Sequence, residues 1–385
     1  MFRQELFTTR RLVVLGAMAL LAGCTVVPKG KPVATPTPTA SEAAPDSDRL
    51  PTDAERHRVA LLLPMSGPNA GTGQSIANAT TMALLDTNAQ NIRITTYDTA
   101  TGAGSAAARA IADGNKLILG PLMADDVIAV AGVARPAKVA MITYSNDVGV
   151  ADRDVFVLGQ VPGQSVGRVV AFARARGMTR FAAIVPSGVY GQRAAAALQE
   201  AASANRATVA GIETYDRGNT SVASAVRRLK AKGGYDALLI ADGARITLQA
   251  APIIGSGTKI LGTELWSGEA GVTRAPALRG AWFAAVSDGR YGRFEQSYRN
   301  RFGAAPSRLA TLGYDSVLLT LKVARDWRPG TLFPTSKLYD ASGFIGLDGV
   351  LRFNRFGVAE RAMEVREVGA GTFRIADPAP ASFGK

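Results

Sequence analysis

The side chains best suited to contact a ligand stand just after apolar runs of the chain. They are hydroxyls, an amide, carboxylates and aromatic rings, at Ser66, Asn69, Asp125, Tyr144, Ser145, Tyr190, Asp242, Glu264 and Trp266. In open α/β sheets a ligand sits outside the carboxyl ends of the strands, so these positions predict a binding cleft. Each residue type also has a structural use, as a cap, a first-turn acid, a salt-bridge partner or a packing residue. Both interpretations stay open at this point.

Two of these carboxylates raise the question of catalysis. Asp242 and Glu264 each follow a predicted strand, and glycoside hydrolysis needs two acids at a set separation. Acids after strands are common in such sheets, however. The single histidine, His57, lies at the edge of the folded part, and Cys24 is the single cysteine. A disulfide within the chain and the usual Cys/His zinc site are therefore excluded by counting, and a Ser-His-Asp triad is unsupported. We expect a non-enzymatic protein with no cofactor and no metal.

The loop after the first predicted strand is rich in glycine but does not match a nucleotide-binding fingerprint. Val59–Leu63 is wholly apolar, and Ser66, Gly71 and Gly73 follow it. The third glycine of a GxGxxG pattern would have to stand at Ile76, and no Lys-Ser/Thr pair follows the loop. We interpret the segment as a strand, a polar loop that forms one wall of the cleft, and a helix.

The elements that position these residues alternate between strand and helix patterns from Val59 onward. Apolar strands separated by helices predict an α/β fold with a doubly wound parallel sheet. The pattern restarts after Gln160 and Gly163, which we interpret as a hinge between two such lobes. The predicted first lobe covers about 58–160 plus 290–330, and the second covers about 164–285 plus 345–375, before a tail at 376–385.

Composition and charge favour a globular protein that does not bind nucleic acid. The chain has 385 residues, 47% of them hydrophobic, which is enough for two lobes with separate cores. Lys and Arg number 44 against 31 Asp and Glu, a formal net charge of +13. Because no block of about five like charges occurs, the sequence offers no basic stripe for a nucleic acid.

The N-terminal residues predict export and a lipid anchor. Three arginines flank or precede the apolar run Leu12–Leu21, which is too short for a stable membrane-spanning helix. The sequence LLAGC at 20–24 resembles the bacterial lipobox, which implies a signal peptide at 1–23 and lipidation of Cys24. Residues 24–57, rich in proline, would form a tether. Thr25 after the cysteine resembles the sorting pattern of outer-membrane lipoproteins in Gram-negative bacteria, which implies an outer-membrane anchor facing the periplasm.

The whole of 58–375 resembles the type I periplasmic-binding-protein fold of the leucine-binding family. In such proteins the ligand lies between two lobes that are joined by three crossing segments. The resemblance places these segments near Gln160–Gly163, Val286–Gly289 and Pro334–Phe344. Local likeness lies at ALLLPMSGPNAGTGQSIANA (60–79), ILGPLMADDV (118–127), Tyr190-Gly191 and LGYDSVLLTLKVA (312–324).

Within this superfamily the chain more closely resembles the penicillin-binding protein activators, outer-membrane lipoproteins that stimulate a peptidoglycan synthase. The likeness lies at VALLLPMSG (59–67), LILGPLMADDV (117–127) and YDALLIADGARITLQAAPII (235–254). It implies a non-enzymatic role with a penicillin-binding protein as partner. The well-studied activators carry a helical-repeat domain on the N-terminal side of the binding-protein-like domain. In this chain the predicted tether occupies that position.

The alternative function is a solute-binding lipoprotein of a leucine-family ABC transporter, or a ligand sensor, with an amino acid or another small polar ligand in the cleft. The family's amino-acid carriers hold the ligand carboxylate with side chains at positions that match 123–125 and 145–147 here. Asp125 and Asp147 would place negative charge there, and like charges in a partly dry site repel by several kcal/mol. We therefore expect no free amino acid in the usual pose, while a cationic or sugar-like ligand and an empty cleft stay open.

Overall fold

The computed structural model describes residues 55–219 and 221–383. The first lobe is built on five parallel strands, β1 (His57–Leu63), β2 (Ile92–Asp98), β3 (Leu117–Leu119), β4 (Ala140–Thr143) and β5 (Val155–Val157). Their order in the sheet is β2-β1-β3-β4-β5. Helix α1 (Ala70–Asp86) packs on one face, and α2 (Ala103–Ala112) and α3 (Ala124–Ala134) pack on the other.

The first strand and helix show why this part of the sequence folds as it does. Every side chain from Val59 to Leu63 is apolar and buried, as expected for a strand covered on both faces. Gly73 lets α1 start close to that strand, because a Cβ there would lie 2.0 Å from the carbonyl oxygen of Pro64. The polar loop at 64–69 is thereby held at the carboxyl end of β1.

The second lobe begins with helix α4 (Pro162–Ala175) and repeats the alternation. Its elements are β6 (Arg180–Pro186), α5 (Val189–Ala204), β7 (Thr208–Tyr215), α6 (Ser221–Lys232), β8 (Ala237–Ile240), α7 (Ala244–Ile254), β9 (Lys259–Gly262), α8 (Ala270–Arg274) and β10 (Trp282–Val286). Strands β6 to β10 run parallel, and two later strands extend the sheet in antiparallel fashion.

The C-terminal quarter of the chain contributes elements to both lobes. Helices α9 (Tyr291–Phe302) and α10 (Ala310–Ala324) and the small antiparallel sheet β11 (Phe344–Gly346), β12 (Gly349–Phe353) and β13 (Ala359–Arg361) precede β14 (Met363–Val368) and β15 (Phe373–Asp377). The second-lobe sheet has the order β15-β14-β10-β9-β8-β6-β7. Short 3-10 helices cover Val148–Val150, Glu264–Trp266, Pro276–Leu278 and Thr335–Tyr339.

The chain passes between the lobes at Leu158–Val161, at Ser287–Arg290 and at Ala362. The predicted third crossing at Pro334–Phe344 is wrong, because Leu338 and Phe344 pack into the first-lobe core. The sheet β11–β13 buries apolar residues in the same core, so the segment before Ala362 belongs with the first lobe. Apolar alternation alone does not say which core a short strand joins.

The boundaries of two smaller predictions also change. Gly163 is the second residue of α4, so only Gln160 of the predicted hinge pair lies in a crossing segment. The predicted tail at 376–385 begins inside β15, and Asp377 forms an ion pair with Arg168 at 2.6 Å. These contacts extend the second lobe to Asp377.

The two lobes with their mainly parallel sheets confirm the predicted α/β fold. Within 55–219 and 221–383, no helix is both long and apolar enough to cross a bilayer, and no three His, Cys, Asp or Glu side chains are arranged to hold a metal ion. The predicted signal peptide, the lipidation of Cys24 and nearly all of the predicted tether lie outside the described residues.

Candidate functional site

An ion pair joins the two lobes near the carboxyl ends of their sheets. Asp147, which follows β4, contacts Arg193 on α5, the helix that follows β6. Oδ1 of the same aspartate also accepts a hydrogen bond from the backbone N–H of Gly149 at 2.7 Å, which fixes the carboxylate at the start of a 3-10 helix. The strand ends of the two lobes therefore meet here, and we call the region the facing strand ends.

The first-lobe wall of this site is built around Asp98 at the end of β2. Its carboxylate accepts hydrogen bonds from the backbone N–H groups of Met65 and Ala100 at 2.8 and 2.9 Å and from the Ser66 hydroxyl at 2.8 Å. The backbone bonds lower the pKa of Asp98, because they favour the charged form. Asn69 is exposed, and its amide nitrogen lies 3.8 Å from the sulfur of Met123.

Asp125 stands beside this wall in the first turn of α3. It is exposed, and Asp126, the next residue, is half-buried. Burial raises the pKa of Asp126. Both carboxylates also lie near the positive end of the helix dipole, so their place fits a helix-start role as well as a ligand role.

The second-lobe wall contains a buried carboxylate, Glu264, directly after β9. It accepts hydrogen bonds from the hydroxyls of Ser165 on α4 and of Tyr190 on α5, the latter at 3.0 Å. The Tyr190 hydroxyl also lies 3.0 Å from that of Thr263. Burial raises the pKa of Glu264 and of Tyr190. The cluster can therefore accept or donate hydrogen bonds with little water present.

Asp242, after β8, forms the second polar group of this wall. It accepts from the Tyr215 hydroxyl at 2.5 Å and from two nitrogens of Arg217 at 2.8 and 3.2 Å. The hydrogen bond to Asp242 raises the pKa of Arg217. The Arg245 guanidinium, three residues further along the chain, donates to the backbone carbonyl of Arg217 at 3.2 Å.

Three of the predicted binding residues are buried and do not form the wall of the cleft. Tyr144 is 2% exposed and its hydroxyl lies 2.8 Å from that of Ser316, which corrects the predicted cleft exposure. The hydroxyl of buried Ser145 accepts from the Asp147 backbone N–H at 3.1 Å. Trp266 is fully buried, and its indole N–H donates to the backbone carbonyl of Asp242 at 2.9 Å. Packing and turn formation account for all three.

Sequence reasoning missed several side chains of the site. Arg193 lies three residues after Tyr190 on α5, so the helical spacing places both on one face and could have identified it. Arg217 and Ser165 meet their partners only through tertiary packing, across separations of 25 and 99 residues. No local pattern in the sequence predicts those contacts.

A groove lies beside the first crossing segment. It has a volume of about 1010 Å³ and runs between α4 and α5 of the second lobe and first-lobe residues such as Tyr339 and Phe356. Small residues form much of its second-lobe side, and none of the predicted ligand-binding residues lines it. We keep the facing strand ends as the candidate site because the polar contacts converge there.

Known proteins resemble this chain in sequence and in structure. A family model described as periplasmic binding protein matches residues 57–370. An uncharacterized protein from Rickettsia prowazekii (strain Madrid E) is 27% identical over 173 residues, which is 44% of this chain and 46% of that relative. The match thus spans about half the length of that relative.

Two solved structures with bound ligands share the fold. A solute binding protein of an ABC transporter from Rhodopseudomonas palustris BisB5, in complex with 3,4-dihydroxy benzoic acid, has a TM-score of 0.68 and 20% identity, covering 86% of this chain and 97% of that one. The branched-chain amino acid transporter substrate binding protein LivJ from Streptococcus pneumoniae, in complex with isoleucine, has a TM-score of 0.63 and 17% identity, covering 84% and 100%.

The identities to these structures are low, so they support the fold alone. The family model, in contrast, covers most of the chain, from the first residue of β1 to beyond β14. This chain therefore belongs to the periplasmic binding protein family.

Proposed function

We propose that this chain is a non-enzymatic periplasmic solute-binding protein that holds a small polar ligand at the facing strand ends. The observation that carries the proposal is the Asp147–Arg193 contact, which brings two polar walls together between the lobes. The family implies a periplasmic location. The exposed side chains of Ser66 and Asn69 are then available to a ligand from the first lobe, and the partly buried Tyr190 lies on the second-lobe side.

The first ligands to test are amino acids and small aromatic acids. The two structurally similar proteins described above were solved with such molecules. The expected repulsion of a carboxylate by Asp147 is reduced here, because Arg193 balances its charge. A ligand carboxylate would compete with Asp147 for Arg193, and Asp125 would still repel it. The proposal therefore favours ligands whose carboxylate is accompanied by a cationic or hydroxyl group.

Thermal-shift screening of purified protein, followed by calorimetric titration of each hit, tests this proposal. Tyr190→Phe removes one hydroxyl from the second-lobe wall, and a lost hydrogen bond of about 1.4 kcal/mol weakens binding about ten-fold. Tyr235→Phe is the matched control. Tyr235 precedes β8, so it lies at the amino ends of the strands of the same sheet and not at their carboxyl ends. Equal affinities of the two variants would place the ligand elsewhere.

A second candidate, also a proposal, is activation of a peptidoglycan synthase by protein contact from an outer-membrane lipid anchor at Cys24. It is favoured by the exposure of Met123 and Ile128, 44% and 65%, within and beside the segment that resembles the activators. Pull-down from detergent-solubilised envelope should recover a penicillin-binding protein with the native chain and not with Ile128→Ser. Val189→Ser, which alters an exposed apolar residue of the other lobe, is the control. Recovery of no synthase would leave the solute-binding proposal alone.

A further inference from the structure

A cluster of charged side chains lies where the three crossing segments meet. We call it the crossing cluster, and most of its members are buried. It consists of three arginines and four carboxylates, Arg308, Arg361, Arg366, Asp288, Asp315, Asp348 and Glu364. Burying charges is costly unless they are paired, so such a cluster at a hinge calls for an explanation.

The cluster ties the crossing segments to one another. In the first crossing, the Gln160 amide donates to Asp348 at 3.1 Å. In the second, Asp288 pairs with Arg366, which also donates to the backbone carbonyl of Val286 at 2.7 Å. A change in the angle between the lobes must move these segments relative to one another, so it must also rearrange these bonds.

Arg361 connects the third crossing to the first. Its Nη2 donates to the backbone carbonyl of Leu158 at 2.6 Å, while its Nη1 stands 3.9 Å from Asp348. Nη1 and Nε are buried and have no hydrogen-bond partner in the described part of the chain. A buried donor without a partner costs free energy, so Arg361 would gain from another acceptor nearby.

Asp315 on α10 is a further carboxylate on which the charge of Arg361 acts. Its carboxylate accepts from the backbone N–H of Leu347 at 2.6 Å, and Gly346 makes room for it, since a Cβ there would lie 2.4 Å away. The charged groups that act on it are Asp348 and Arg361, and Lys322 and Arg325 line the same cavity. Burial raises the pKa of Asp315 to about 7, and the charge of Asp348 acts in the same direction.

The charges of the cluster balance only when Asp315 is neutral. The three arginines then face the three carboxylates of Asp288, Asp348 and Glu364. Ionisation of Asp315 adds a second buried negative charge beside Asp348. Arg361 is the cation whose charge acts on both carboxylates.

We propose that the crossing cluster is a pH-sensitive joint in which ionisation of Asp315 draws Arg361 away from Leu158, loosens the ties between the crossing segments and opens the lobes. The joint acts without a ligand, so it does not rest on the proposed solute-binding function. It makes the lobe angle respond to the pH around the protein, with the closed form favoured on the acidic side.

Small-angle X-ray scattering of purified, ligand-free protein from about pH 5.5 to 8.5 tests the joint. The radius of gyration should rise with pH, with a midpoint near the pKa of about 7. Asp315→Asn should remove the transition. Glu264→Gln is the matched control, because Glu264 is another buried acid with a raised pKa and its loss should leave the transition in place.

Two results would overturn the proposal. One is a radius of gyration that does not change with pH in the native chain, and the other is a transition that persists in Asp315→Asn. If Asp315→Asn does not fold, Arg361→Lys provides the test, because it keeps the positive charge but removes the Nη2 donor that holds the Leu158 carbonyl, and it leaves Asp315 intact. That variant should then be open at both ends of the pH range, and an unchanged transition would contradict the joint.

Discussion

Glu264 shows how much of the candidate site depends on one side chain. It joins α4, through Ser165, to α5, through Tyr190, at the carboxyl end of β9. Its burial raises its pKa, so the neutral acid is more favoured in the folded protein than in the unfolded chain. A ligand that displaces the Tyr190 hydroxyl would change both the hydrogen bonding and the charge of this group.

Replacing Glu264 should change how stability depends on pH. Because the folded-state pKa is raised, its stabilising contribution is complete below the ordinary value of 4.5 and is lost as pH rises through the folded-state pKa. The glutamine in Glu264→Gln cannot ionise. The melting temperature of this variant, relative to that of the native protein, should therefore rise as pH increases. Thermal unfolding at a series of pH values measures this difference. Melting curves that stay parallel across the range would show that Glu264 does not titrate in this way.

The packing of helix α10 on helix α1 leaves almost no space between the two backbones. Gly313 lies at the contact, and a Cβ there would stand 2.4 Å from the backbone carbonyl oxygen of Ile76 and 2.7 Å from the Thr80 hydroxyl. The two helices together cover one face of the first-lobe sheet. Their close approach fixes the N-terminal half of α1, the helix that follows the loop at Ser66 and Asn69.

Gly313→Ala should therefore destabilise the protein. Overpacking of a tight contact costs about 1–3 kcal/mol, which chemical denaturation measures as a lower midpoint. Gly292→Ala in α9 is the control, because nothing lies within 4 Å of a Cβ at that position. It should be neutral or stabilise by about 0.4–1 kcal/mol through the unfolded chain. Equal midpoints for the two variants would mean that α1 and α10 can separate without cost.

The elements themselves could be predicted from the sequence, while several of their partners could not. Apolar runs such as Val59–Leu63 identify buried strands, since few other structures accept five consecutive apolar residues in so short a segment. The packing of β11–β13 on the first lobe, and the burial of Tyr144 against Ser316, 172 residues away, depend on tertiary contacts. A strand-end position predicts nearness to the cleft, but the direction of the side chain decides whether it meets the ligand or the core.

The lobes as a whole are joined by crossing segments at one side and by the Asp147–Arg193 pair at the facing strand ends. Both side chains of that pair are partly exposed, 16% and 26%, so salt should weaken it. A pair of this kind stabilises the closed arrangement of the lobes by about 1 kcal/mol at most. That free energy changes the ratio of closed to open molecules by at most about five-fold.

Arg193→Gln should accordingly open the lobes. Scattering at low salt should give a larger radius of gyration than for the native protein, and added salt should enlarge the native protein but not the variant. Arg135→Gln is the control, because Arg135 pairs with Asp152 and Asp154 inside the first lobe. If Arg193→Gln and Arg135→Gln scatter alike, the ion pair does not hold the lobes together.

The proposed function requires that a small polar ligand binds between the lobes at the facing strand ends. Hydrogen–deuterium exchange of the protein, with and without the best ligand from the thermal-shift screen, locates that ligand. We predict slower exchange in both walls, at residues 64–69 of the first lobe and 187–193 of the second. Protection confined to one lobe, or to the groove beside the first crossing segment, would contradict the claim.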